Sequence, residues 1–221
     1  MRRAAVLVLM VALAGVPAAQ AKAPPEGFRV CGPGACVSFS QDAAEQLAIN
    51  LFFGAASTLY AAPSPAAYYT LHWRWQQPGP EATAYYVPAA GAAYMLSSTS
   101  GPVGTARGWL TLGTVAQTAL AQTTATLAPF PAAVPTRAAV GRKVVRDPTG
   151  YGSLWSVGTR TSILDSPDAR WLRVRIFTAA PSPWTGSVWI GRHKPLLMRD
   201  NVVFRISRGL ATQVRHGRPL R

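Results

Sequence analysis

Trp171-Leu172-Arg173-Val174-Arg175-Ile176-Phe177 alternates apolar and charged residues with a period of two. Successive side chains of a strand point to opposite faces, so Leu172, Val174 and Ile176 belong to a core face and Arg173 and Arg175 to an open one. The same alternation runs from Tyr68 to Gln76, where Tyr69, Leu71, Trp73 and Trp75 oppose Tyr68, Thr70, His72 and Arg74. Thr83 to Val87 is its expected antiparallel partner across the Gln77-Pro78-Gly79-Pro80-Glu81 turn, and Ala92 to Ser97 reads as a third strand. Farther along, Ala139 to Val145, Val188 to Arg192, Leu196 to Arg199 and Val202 to Ile206 are short and rich in β-branched or aromatic residues. Arg199-Asp200-Asn201 is the expected tight turn between the last two. In Val202 to Ile206, Val202, Phe204 and Ile206 fall on one side and Val203 and Arg205 on the other.

Helical periodicity is confined to a few places. Ala44, Leu47, Ala48, Leu51 and Phe52 line one face of a helix over 41–53, with Ser40 as N-cap, Asp42 near its positive end and Gly54 to close it. Leu112, Val115, Ala116, Ala119 and Leu120 have the same spacing within 111–127, although Gly113 and several threonines lower the propensity. Ser207 is placed to cap a short last helix holding Leu210, Ala211 and Val214. Strands outnumber helices, and the fold class that follows is α+β: mostly antiparallel β-sheet with two or three short helices.

The chain has 221 residues, 49% of them apolar, and two cysteines, which excludes both disorder and a disulfide-rich miniprotein. Met1-Arg2-Arg3, an uncharged run from Ala4 to Val16, Pro17 and Ala19-Gln20-Ala21 have the layout of a signal peptide over 1–21 cleaved after Ala21. The apolar run is too short for a bilayer, which takes about 20 residues. The expected product is a single domain, 22–221, secreted or held in the cell envelope, with an internal boundary near 129–136 where Pro129, Pro131 and Pro135 cluster. Cys31 and Cys36 bracket Gly32-Pro33-Gly34-Ala35 and read as a hairpin closed by a disulfide, worth roughly 2 kcal/mol through loop entropy. A reactive thiol would need a basic partner, and no histidine is near in sequence.

The charge is uneven. Residues 22–100 carry three basic side chains against four acidic, whereas residues 101–221 carry 17 against 4. Arg173 and Arg175 point to one side of their strand, Arg205 to the corresponding side of another, and Arg208 and Arg215 follow in the tail. If the two strands are neighbours, guanidinium groups line an open sheet face flanked by Trp171 and Phe177, a surface that attracts polyanions. The plainer reading is compositional: Arg outnumbers Lys 19 to 3 in an alanine-rich chain, as base-composition bias produces.

Tyr68, Tyr69, Trp73, Trp75, Tyr85, Tyr86 and Tyr94 crowd one region, either as an exposed platform for sugars or peptides or, as the register favours, as a sheet core. Motifs of catalysis are missing: no HExxH, GxSxG or Ser-x-x-Lys pattern occurs, and His72, His193 and His216 lack metal-ligand spacing. Asp42 and Glu45 belong to a helix start, Asp165 and Asp168 to a Ser/Pro turn, and Asp147 and Asp200 each follow an arginine. The expected activity is therefore non-catalytic binding or scaffolding at the envelope, with no cofactor, an anionic polymer or membrane surface as partner, and intracellular nucleic acid disfavoured by export. The alternative is a secreted hydrolase whose site joins His72 or His193 to one of Asp147, Asp165, Asp168 or Asp200.

Leu127-Ala128-Pro129-Phe130-Pro131, Val140-Gly141-Arg142, Asp147-Pro148, Tyr151, Leu154-Trp155, Pro181-Ser182-Pro183-Trp184-Thr185 and Leu197-Met198-Arg199-Asp200 resemble a group of uncharacterised secreted proteins of high-GC bacteria. The likeness extends to Tyr68-Tyr69, Tyr85-Tyr86-Val87-Pro88 and the Cys31–Cys36 hairpin; it implies export and no particular site residues. Trp171-Leu172-Arg173-Val174-Arg175-Ile176 followed by Thr185-Gly186-Ser187-Val188-Trp189-Ile190 also resembles bacterial SH3-like wall-binding modules, which implies peptidoglycan or related peptides as ligand. The His and Cys motif of wall-crosslinking transpeptidases is absent.

Overall fold

A computed structural model describes residues 26–52, 57–74, 81–95, 108–162, 170–200 and 202–220. The expected signal peptide, Gly54, Trp75, Asp165 and Asp168 lie outside them, as does the side chain of Phe52.

Alternation in the sequence becomes two antiparallel seven-stranded sheets. The first is built from β1 (Glu26–Cys31), β2 (Cys36–Ser38), β3 (Ser57–Leu59), β4 (Tyr69–Arg74), β5 (Ala82–Val87), β6 (Ala92–Met95) and β7 (Gly108–Thr111), ordered β2-β1-β4-β5-β6-β7-β3. Its helices are α1 (Gln41–Phe52), between β2 and β3, and α2 (Thr114–Thr124), after β7. The second sheet has β8 (Pro135–Val140), β9 (Lys143–Val144), β10 (Thr159–Thr161), β11 (Trp171–Thr178), β12 (Gly186–Gly191), β13 (Leu196–Arg199) and β14 (Val202–Arg205), ordered β10-β14-β13-β12-β11-β8-β9. A 3-10 helix, Thr149–Trp155, precedes β10, and α3 (Arg208–Arg215) follows β14. The protein is thus an α+β fold, mostly antiparallel sheet, with three α-helices among the described residues.

The β1–β2 hairpin is closed by the Cys31–Cys36 disulfide. Ser40 caps α1 through a bond from the Ala43 amide at 3.3 Å, and Ala44, Leu47, Ala48 and Leu51 are buried. Ser207 caps α3, its Oγ accepting from the Leu210 amide at 3.1 Å. Arg199 pairs with Val202, so β13 and β14 are joined through Asp200 and Asn201, with Asp200 in the left-handed region at φ 47°. Aspartate tolerates that conformation better than most residues, which suits a two-residue hairpin loop.

Three expectations change. Residues 111–127 begin as strand: Thr111 ends β7, Gly113 is extended (φ −67°, ψ 157°), and the helix starts at Thr114. That start turns Val115 outward, 58% exposed, while Leu112, Ala116 and Leu120 stay inside. Residues 139–145 are not one strand but the β8–β9 hairpin, reversed at Gly141, whose φ of 59° disfavours a side chain. Val203, expected on the open side with Arg205, is 2% exposed, so that part of β14 is covered on both sides.

One apolar cluster joins a face of the first sheet to its helices: Val30, Leu71, Trp73, Ala84, Tyr86 and Leu110 meet Leu47, Leu51, Ala116 and Leu120. The opposite face contributes Tyr68, Tyr85, Val87, Ala92 and Trp109 to a second cluster with Val174, Ile176, Val188, Ile190, Leu197 and Phe204 of the second sheet and Ala211 and Val214 of α3. Trp184 sits at this junction, 5.9 Å from the Tyr68 ring and 5.6 Å from Trp109, donating from Nε1 to the Pro63 carbonyl at 2.9 Å. Tyr68, Tyr69, Trp73, Tyr85 and Tyr86 are therefore core, not a platform, and Tyr94 is partly buried against it.

Candidate functional site

The outward face of β8, β9, β11 and β12 gathers basic and aromatic side chains because register leaves them nowhere else to point. Val174 opposes Val140 and Val188, and Ile176 opposes Ala138, so this set is buried. One residue out of phase, Arg173 lies opposite Trp189, Arg175 opposite Ser187 and Ala139, and Phe177 opposite Arg137. Ala139 in turn opposes Val144 of β9. Residues directly opposite share a face. Arg137, Arg173, Arg175 and Phe177 are exposed, with Trp171, Ser187 and Trp189 partly so.

Two of the three arginines are held in place. The Arg173 Nε donates to the Ser187 hydroxyl at 2.9 Å, and its guanidinium lies 5.7 Å from the centre of the Trp189 ring. Arg137 sits 5.4 Å from the centre of the Phe177 ring. Stacking on an aromatic fixes the plane of a guanidinium and leaves its N–H edge for an oxyanion. Among the described residues no carboxylate lies within ion-pair distance of Arg137, Arg173 or Arg175; the ion pairs found there involve Glu81 alone.

The other arginines singled out in the sequence are placed elsewhere. Arg205 is exposed on β14, three strands from β11 and so about 14 Å away across the sheet. Arg208 is exposed in the first turn of α3. Arg215 caps the β12–β13 turn, Nε donating to the Gly191 carbonyl at 2.8 Å and Nη2 to Lys194 at 2.5 Å, so much of its donor capacity is satisfied internally. The structure brings together Arg173 and Arg175 of that set and adds Arg137. Arg137 has a sequence signal only in retrospect: it lies two residues before Ala139, in phase with the outward positions of β8.

A second polar group forms where β1, β4 and β5 meet. Arg29 Nη2 donates to both Glu81 oxygens, at 2.8 and 3.1 Å, and Glu81 Oε2 is 3.5 Å from His72 Nδ1. His72 also meets Thr70 Oγ1 at 3.0 Å and Thr83 Oγ1 at 3.3 Å. Its carboxylate neighbour is Glu81, and among the described residues, which leave out Asp165 and Asp168, no group of three or more His, Cys, Asp or Glu could hold a metal ion. Burial lowers the His72 pKa below 6.5, with Glu81 raising it and Arg29 lowering it further. The folded state thus binds this proton more weakly than the unfolded chain: the stability is complete above 6.5 and falls as acid protonates the unfolded imidazole first. Urea midpoints of the protein and of His72→Asn between about pH 7 and pH 5 should fall less steeply for the variant; equal slopes would remove His72 from the acid response.

Comparison with protein-family models, with curated proteins and with solved structures finds no match to this chain.

Proposed function

We propose that the chain is an exported, non-catalytic binding or scaffolding protein of the cell envelope, which uses a basic sheet face to hold an anionic partner. The observation that carries this reading is the convergence of Arg137, Arg173 and Arg175 on one exposed face with no carboxylate in ion-pair range among the described residues. Compositional bias alone accounts for many arginines; it does not account for two of them standing against Trp189 and Phe177 on one exposed face. The Cys31–Cys36 disulfide is consistent with an oxidising compartment.

Binding to soluble polyphosphate at rising salt tests it. Three phosphate contacts give a log–log slope of about −2 to −3, hence roughly a 16- to 64-fold loss of affinity between 50 and 200 mM salt. Arg137→Gln, Arg173→Gln and Arg175→Gln together should abolish most of that dependence, whereas Arg205→Gln with Arg208→Gln should leave the larger part. Binding indifferent to salt, or to the triple substitution, overturns the reading.

A further inference from the structure

We infer that the anionic partner of this face is the headgroup layer of a lipid bilayer, an inference that rests on the electrostatic reading above and narrows it. A dissolved polyanion requires only charge. This face also exposes apolar side chains among its arginines: Val144 is 57% and Phe177 37% exposed, two of the five large hydrophobic residues so exposed among those described. Val144, Ala139, Arg175 and Ser187 make one row across the sheet, with the Phe177–Arg137 pair two positions along β11. A third of the five, Val134, 54% exposed, stands immediately before β8, at the end of the strand that carries the Phe177–Arg137 pair. Arg142, in the β8–β9 turn, is exposed, and Trp189 and Trp171 are partly exposed on the face.

Apolar tips ringed by arginines, with tryptophans of partial exposure, match the layers of a bilayer surface. Valine and phenylalanine side chains enter the boundary between headgroups and acyl chains, indoles prefer the interface, and guanidinium forks meet headgroup phosphates. The stem of an arginine lies along apolar surface while its head stays at phosphate depth. The contact is made by the sheet face, lying on the bilayer; no helix among the described residues is long and apolar enough to cross a membrane.

The test uses the full chain and three probes: vesicles of phosphatidylcholine with phosphatidylglycerol, vesicles of phosphatidylcholine alone, and soluble polyphosphate. Binding is expected to the anionic vesicles and to be lost on the neutral ones. Replacing Arg137, Arg173 and Arg175 by Gln should weaken vesicle binding by about 100-fold, since each basic residue near an anionic surface contributes about fivefold. Val144→Ser should weaken it by about fivefold while leaving polyphosphate binding unchanged. Because the Val144 side chain is exposed, the fold of that variant is checked by its unaltered thermal midpoint. In the unaltered protein, lipids brominated high on the acyl chain should quench part of the tryptophan fluorescence. Polyphosphate binding with no vesicle binding, vesicle binding untouched by Val144→Ser, or no quenching each defeats the bilayer assignment and leaves the electrostatic reading standing. Binding to neither anionic probe defeats both.

Discussion

Trp184→Ala is expected to lower the unfolding free energy by about 3–5 kcal/mol, the range for removing a buried large aromatic side chain. The residue is 1% exposed and lies where the two sheets share a core, in contact with Tyr68 and Trp109. Three losses coincide: the indole's buried area, the ring contacts, and the Nε1 bond to the Pro63 carbonyl. Tyr68 is tied to the same place through its hydroxyl, which donates to the Pro181 carbonyl at 2.9 Å. Removal of Trp184 therefore loosens a seam as well as leaving a cavity. Trp184→Phe keeps most of the packing and should cost less than half as much. Urea unfolding followed by fluorescence and by far-UV circular dichroism reads both variants. A loss below about 1 kcal/mol for alanine would mean the sheets hold together without this contact.

Arg199→Ala is the second large effect, about 3 kcal/mol, and here two terms oppose each other. The residue is 1% exposed, an unusual place for a guanidinium, and burial lowers its pKa to about 10, with Asp200 pulling it back up. It stays charged at neutral pH, and Nε and Nη2 have no hydrogen-bond partner among the described residues. Removing an uncompensated charge is favourable. Against that, Nη1 donates to the carbonyls of Leu154 at 2.7 Å and Val157 at 2.8 Å, and the guanidinium packs 3.7 Å from the centre of the Phe204 ring. Each orphaned buried carbonyl costs about 1–3 kcal/mol, and the void beside Phe204 adds to it. The tie wins because one side chain closes the end of the 3-10 helix Thr149–Trp155 and fastens it to β13. Arg199→Met fills the void without the bonds and should fall between the parent and alanine. A methionine variant as stable as the parent would show the charge to be a burden that cancels its own bonds.

What the sequence disclosed follows from how far its signals reach. Strand alternation located β4, β5, β11, β13 and β14 within a residue or two, and Ser40 and Ser207 marked two helix starts, because period and capping are local. Sheet order is not local: β11 and β14 are separated by β13 and β12, so the arginines at 173 and 205 share no neighbouring pair, and Arg137 comes beside Phe177 only through the β8–β11 pairing. Composition likewise hides where a charge ends up. Arg199 and Arg215 look like surface residues in the string, yet one is enclosed in the core and the other is bonded to two backbone carbonyls. The pairing of β4 with β5 was implied by their alternation, but the contact of His72 with Glu81, read as part of the turn between them, was not.

The outermost strands of both sheets, β2, β3, β9 and β10, are only two or three residues long among the described residues. Unpaired amides and carbonyls at a sheet margin are a template on which further copies of a chain can add, and templates this brief nucleate poorly. In a protein that is half apolar and mostly sheet, margins this short limit growth into fibrils by backbone addition.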